Sequence, residues 1–179
     1  YAIKKSAFLN SANRVNKFYN LDSSMNWGCV LPTYHVGGLS ILARSYLAHS
    51  KVYFTTWKQF SVEWLVENQI QLLSVVPTQV YDIVKNKLKC PSCLKYVFVG
   101  GANLNEALAK QASDLGWPLK ITFGMTETSS MFAYKQNRED LSYKTYPGIK
   151  VSSTDQGRLK IITDSLAERY LQIKNRKIE

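Results

Sequence analysis

Apolar residues recur along the chain with two different periods, and the switches between them mark out its elements. Residues 3–18 place Ala7, Val15 and Phe18 on one helical face, which predicts an amphipathic helix. Short apolar runs at Trp27-Gly28-Cys29-Val30-Leu31, Leu72 to Val76, Tyr96 to Val99 and Leu119 to Phe123 read as strands, and Lys51 to Thr55 is β-rich. Between them, Leu39 to Ala48, Phe60 to Glu67, Thr78 to Val84 and Glu106 to Leu115 read as helices. Gly37-Gly38 is expected to break the chain ahead of the first of these helices, and Thr78 to cap the third. Asn103 or Asn105 is expected to cap the fourth, with Gly116 ending it. Strands apolar on both faces, alternating with helices, predict an α/β fold: a doubly wound, mostly parallel sheet with helices on both faces.

The pattern changes beyond Ser130. Two turns, Tyr146-Pro147-Gly148 and Asp155-Gln156-Gly157, set off strand-like stretches at Ile149 to Ser152 and Arg158 to Thr163, a hairpin that opens a β-rich segment. Residues 1–130 are therefore read as a central α/β subdomain and 131–179 as the beginning of a β-rich one. Arg169 to Glu179 is charged and ends without a cap or breaker. The opening Tyr1-Ala2-Ile3-Lys4-Lys5 has no initiator Met and no apolar leader, so the chain is expected to begin inside a larger protein.

Composition narrows the class. Hydrophobic residues at 45% and charged residues at 20% suit a globular domain, and no apolar run is long enough for a membrane span. The net charge of +10 raises nucleic-acid binding as an option. Its Lys and Arg residues are scattered, however, and no nucleic-acid-binding signature accompanies them, so a solvated basic face is the reading taken. Cys90-Pro91-Ser92-Cys93 has the spacing of a zinc or redox pair. His35 and His49 lie too far upstream to complete a zinc site, and the pair precedes a strand rather than following one. With Cys29, these are read as reduced thiols of a cytoplasmic protein.

Ligands of open α/β sheets bind beyond the C-terminal ends of the strands. Three loops are placed there by the strand assignment: Pro32 to Gly38, Gly100 to Leu104 and Gly124 to Ser130. Gly100-Gly101-Ala102 leaves room for a planar ring against its backbone, or serves only as a tight turn. Gly124-Met125-Thr126-Glu127-Thr128 offers hydroxyls for phosphate oxygens and a carboxylate for a hard cation such as Mg²⁺, or caps the next element. His35 is either structural or catalytic. Arg44, inside the apolar helix, either reaches solvent or recognises an anion.

Leu31-Pro32-Thr33-Tyr34-His35-Val36-Gly37-Gly38, Val99-Gly100-Gly101-Ala102-Asn103-Leu104 and Phe123-Gly124-Met125-Thr126-Glu127, in that order, resemble the adenylate-forming superfamily of acyl-CoA synthetases, luciferases and peptide-synthetase adenylation domains. Pro32 to Ser45, Leu73 to Gln79 and Gly116-Trp117-Pro118-Leu119 are most similar to the 2-succinylbenzoate–CoA ligases of menaquinone biosynthesis within it. The resemblance implies an ATP-dependent ligase that forms an acyl-adenylate and then a CoA thioester, releasing pyrophosphate and AMP. It implies Gly100, Gly101 and Ala102 along the adenine, Phe123 packing on the base, and Gly124, Met125 and Thr126 beside the nucleotide, with Thr126 at the phosphate. Glu127 would be the Mg²⁺ ligand, and His35, Thr126 and Glu127 the catalytic group. His35, Gly37, Arg44, Ser129 and Ser130 would line the acyl pocket, with Arg44 on the substrate's second carboxylate.

The partners so implied are a small carboxylate, ATP and CoA; the oligomeric state is open. The superfamily's Ser/Thr/Gly-rich phosphate loop ending in Lys is expected before Tyr1, and its ribose-binding Asp, hinge and small C-terminal domain after Glu179. On that expectation these residues alone bind no nucleotide tightly and do not complete the ligation. Another aryl- or acyl-CoA ligase and a non-catalytic homologue are the alternatives.

Overall fold

The computed structural model describes residues 1–169, 173–174 and 177–178. Helix α1 (Lys5–Tyr19) buries Ala7, Ser11, Ala12, Val15 and Asn16, the stripe that the periodicity predicted, and ends where Asn20 turns into the left-handed region. Then follow β1 (Asn26–Cys29), α2 (Val36–Ala48), β2 (Val52–Phe54), α3 (Val62–Glu67), β3 (Ile70–Val75), α4 (Pro77–Lys85), β4 (Tyr96–Val99), α5 (Glu106–Asp114) and β5 (Leu119–Met125). β6 (Ser130–Tyr134), β7 (Lys144–Thr145), β8 (Lys150–Ser153) and β9 (Leu159–Ile162) complete the chain up to residue 169.

Seven strands form one sheet in the order β2-β1-β3-β4-β5-β6-β7. β1 to β5 are mutually parallel, as the alternation of strand and helix predicted, whereas β6 and β7 join antiparallel. Helices α3, α4 and α5 cover one face through Leu65, Val80, Ile83, Ala109 and Ala112, packed on Leu73, Val75, Val97 and Val99. Helices α1 and α2 cover the other through Val15 and Ile41, packed on Trp27, Cys29, Leu72 and Phe98. Successive residues of β4 thus serve opposite cores, each fully buried side chain contributing about 1.5–3 kcal/mol.

Several local expectations change. Thr78 does not cap α4. Pro77 takes the first helical position, its fixed φ being ready for a helix, and the Gln79 side chain accepts the Val76 N–H at 2.9 Å. Asn105, not Asn103, caps α5, accepting from Ala107 and Leu108 N–H at 2.9 and 3.3 Å. Gly37 and Gly38 do not break the chain; they lie in the first turn of α2. A Cβ on Gly38 would collide with the Pro32 carbonyl, so glycine is there to let the helix start against the preceding loop.

The sheet also runs past Ser130, into the stretch expected to open a β-rich segment. The hairpin read from the two turns is present beyond it as β8 and β9. The expectation for Arg169 to Glu179 falls largely outside the described residues.

Candidate active site

Because β1, β3, β4 and β5 run parallel, their C-terminal ends open on one side, and a cavity of about 540 Å³ lies there. Pro32 and His35 to Gly38, Gly100-Gly101 and Gly124 to Glu127 all line it, so the three loops singled out in the sequence converge. His35, Gly37, Arg44, Gly100, Gly101, Gly124, Met125, Thr126, Glu127 and Ser130 face this space. Ala102, Phe123 and Ser129 do not. Phe123 is 41% exposed, with its ring on Phe132 and Tyr143 at centroid distances of 5.2 and 5.6 Å.

β5 passes directly into the Gly124-Met125 stretch, and Thr126 to Thr128 form a single 3₁₀ turn before the chain reverses into β6. Buried Thr128 stitches the reversal, its Oγ1 lying 2.8 Å from the Ser130 carbonyl oxygen and accepting the Met125 N–H at 3.3 Å. A Cβ on Gly124 would stand 2.5 Å from Met131 Cα and from Ser130 O, so this glycine is required by the close approach of β6. Ser129 and Ser130 have φ of 60° and 152°, conformations that favour glycine and are sustained only where neighbours dictate them. The segment after β9 supplies such neighbours: Ser129 Oγ donates to Ser165 O at 2.7 Å, and the Ala167 N–H donates to Glu127 O at 2.6 Å. Glu127 also accepts the Tyr1 hydroxyl at 2.8 Å.

Arg44, which lines the same cavity, is 1% exposed. Nη2 donates to Ser130 Oγ at 2.8 Å, while Nε is buried without a partner among the described residues. Its guanidinium carbon lies 5.9 Å from the Trp27 ring centroid. Among the described residues no Asp or Glu pairs with Arg44, an unusual state for a buried charge whose desolvation costs several kcal/mol. Burial pushes its pKa down to about 10, which leaves it charged at neutral pH. A buried cation without a counter-ion on the wall of a cavity is a ready anion site.

His35 sits at the start of α2, exposed, with its ring 4.6 Å from that of Tyr34. Gly101 has φ +86°, and a Cβ on Gly100 would stand 3.1 Å from Thr122 Oγ1, so this turn is built for glycine and presents backbone to the cavity. The cysteine pair precedes β4, away from the cavity lining; burial, with a smaller contribution from Cys93, pushes the Cys90 thiol up to about 11.

Ser74, Phe98 and Thr122 also face the cavity and were not foreseen. Ser74 was detectable as the one hydroxyl in the apolar run Leu72 to Val76; its Oγ is buried without a partner among the described residues. Trp27 had no distinguishing signal. It is fully buried, and its Nε1–H likewise has no partner among the described residues, a deficit of about 1–3 kcal/mol for a buried donor.

The parallel sheet thus gathers glycine turns, a hydroxyl–carboxylate turn and a buried cation around one crevice. The chain belongs to the AMP-binding enzyme family, which residues 3–168 match. Over 115 residues it is 33% identical to the 2-succinylbenzoate–CoA ligase of Staphylococcus aureus strain MSSA476, a stretch that makes up 62% of this chain and 23% of that protein.

Among solved structures, it resembles wild-type Escherichia coli MenE with a bound analogue of OSB-AMS (TM-score 0.79, 26% identity, 93% of this chain and 36% of that one). The o-succinylbenzoate coenzyme A synthetase MenE of Bacillus subtilis, in complex with ATP and magnesium ion, shares the fold with a TM-score of 0.84 at 19% identity, over 94% of this chain and 39% of that one. The chain thus spans well under half the length of these three relatives. No helix among the described residues is long and apolar enough to cross a membrane.

Proposed function

We propose that these residues form the acyl- and nucleotide-facing core of an ATP-dependent carboxylate–CoA ligase of the cytoplasm, acting on 2-succinylbenzoate. The observation that carries the reading is Arg44, a buried guanidinium with no acidic partner among the described residues, lining the same cavity as Thr126 and Glu127. A dicarboxylate can place one carboxylate on Arg44 and the other beside the nucleotide; a simple fatty acid gives Arg44 nothing to bind.

In the reaction proposed, a substrate carboxylate oxygen attacks the α-phosphorus of ATP and pyrophosphate leaves. The CoA thiol then attacks the acyl carbonyl, losing its proton, and AMP leaves. Arg44, held by Ser130, fixes the far end of the acid. His35 and Gly37 border the reacting end, and Ser129 shapes the turn behind it. Gly100, Gly101 and Ala102 provide backbone for the adenine, Phe123 packs on the base from outside the cavity, and Gly124, Met125 and Thr126 meet the ribose-phosphate side. Holding the reactants in this order converts an encounter into an oriented attack.

Glu127 fits a magnesium ion that arrives with phosphate. Mg²⁺ takes one or two carboxylates and leaves its remaining positions to water and phosphate, and among the described residues no group of three ligating side chains could hold a metal alone. When bound, the ion would neutralise charge on the phosphates.

The Ser/Thr/Gly-rich loop ending in Lys, expected for the β- and γ-phosphates, is not among the 179 residues, and by themselves these form no thioester. Residues 1–130 and 131–179 are proposed as the central α/β subdomain and the start of a β-rich one. The test is AMP release by the complete gene product with ATP, CoA and a panel of mono- and dicarboxylates. Release that is fastest with 2-succinylbenzoate supports the reading.

A further inference from the structure

We propose that Trp27 is a positioning residue: its indole face stands where a carboxylate counter-ion to Arg44 would otherwise be, and holds the guanidinium toward the cavity. The inference rests on the reading of Arg44 as the binder of a second substrate carboxylate. Three observations carry it. Arg44 Cζ lies 5.9 Å from the Trp27 centroid, within cation–π range, and both side chains are buried. Trp27 is itself braced by Phe98, whose ring stacks on it at 5.6 Å and 25°, and Phe98 lines the same cavity. The indole Nε1–H has no partner among the described residues, so the side chain is not there for its hydrogen bond.

That last point separates positioning from packing. A phenylalanine would fill much of the same space without burying an unpaired N–H. What the indole adds is a broader and more electron-rich face, the strongest aromatic partner for a cation. A π-face also differs from a carboxylate in one way that matters here. It lowers the energy of the charged guanidinium without occupying its N–H groups, so no acidic side chain among the described residues takes the donors that a ligand oxygen would need. A buried Asp or Glu would compete with the substrate for those donors and repel it.

The experiment measures equilibrium binding of 2-succinylbenzoate, and of the same molecule lacking its ring carboxylate, to the complete gene product. Wild type, Trp27→Phe, Trp27→Leu and Arg44→Ala are compared, together with Trp27→Leu in the Arg44→Ala background, and thermal melts are recorded for each. Positioning predicts that wild type prefers the dicarboxylate by about 10-fold or more. Trp27→Phe should melt close to wild type yet lose about 3-fold of that preference, and Trp27→Leu should lose most of it. In the Arg44→Ala background, Trp27→Leu should not alter the preference further. If both Trp27 variants keep the wild-type preference while only their melts move, Trp27 is packing alone and the inference is overturned, with the substrate reading intact. If wild type itself shows no preference and Arg44→Ala changes nothing, the substrate reading fails and takes the inference with it.

Discussion

Arg44 Nη2 donates to Ser130 Oγ at 2.8 Å, tying the middle of α2 to the first residue of β6 across 86 positions of sequence. The bond fixes a cation from the helix layer to the strand that follows the Thr126–Thr128 turn, so two parts of the proposed site are linked by one contact. Charge-assisted hydrogen bonds of this kind contribute about 1.5–3 kcal/mol.

Arg44→Ala is expected to raise KM for 2-succinylbenzoate by about 10-fold or more while moving KM for ATP by less than about 3-fold, since the side chain would touch only the acid. Steady-state kinetics with each substrate varied in turn check this. Equal changes in both constants would mean that Arg44 holds the fold and not the acid.

Ser130 joins that anchor to an unfavourable backbone, at φ 152°. Ser130→Gly relieves strain of about 1–3 kcal/mol and removes the hydroxyl together. Its melting temperature should therefore match or exceed that of Ser130→Ala, while both variants share the same weakening toward the dicarboxylate. Melts and carboxylate KM values for the two variants settle the point.

Three glycines near the site should respond differently to alanine. On Gly37 a new Cβ would meet only Leu31 Cδ1, at 3.5 Å, an ordinary contact, so Gly37→Ala should stabilise by about 0.5–1 kcal/mol through helix propensity. On Gly38 the Cβ would strike the Pro32 carbonyl, and on Gly124 it would stand 2.5 Å from Met131 Cα. Both obstacles are backbone, which cannot swing aside, so each of these variants should lose about 1–3 kcal/mol or more in denaturant melts.

These glycines also show what the sequence could and could not disclose. The pattern of apolar runs gave β1, β3, β4 and β5 to within a few residues and α1 nearly whole, because each strand is buried on both faces and each helix shows one apolar stripe. It also gave the crevice, since parallel strands bring their ends together. β6 and β7 were not legible: Met131 to Tyr134 is too short to show a period, and its place is fixed by pairing with β5 and by the Thr128 reversal. Gly37 and Gly38 looked alike as letters; only the approach of Pro32 distinguishes them. The absence of an acid beside Arg44 among the described residues depends on which distant segments pack around α2, and local pattern does not carry that. Neither does the indole beneath it.

The pH dependence follows from Arg44. Its pKa is lowered by burial to about 10, so the folded protein loses this charge at lower pH than an exposed arginine would. The group is charged throughout the neutral range, and its attraction for a second carboxylate should be flat from about pH 6.5 to 9. As pH rises through about 10, binding to the free protein should fall, and Arg44→Ala should show no such fall. A bound carboxylate favours the charged form, so the decline in the complex should come at higher pH than in the free protein. Titrations of affinity against pH for the two proteins measure this.

The central claim is that the crevice activates a dicarboxylate with ATP. Its most direct test is AMP formation by the complete gene product, given ATP, magnesium and CoA, with 2-succinylbenzoate compared against the same molecule lacking its ring carboxylate. The account predicts that kcat/KM for 2-succinylbenzoate is higher by about 10-fold or more, and that Arg44→Ala brings the two values together. Equal kcat/KM for both acids in the wild type, or no carboxylate-dependent AMP at all, would contradict it.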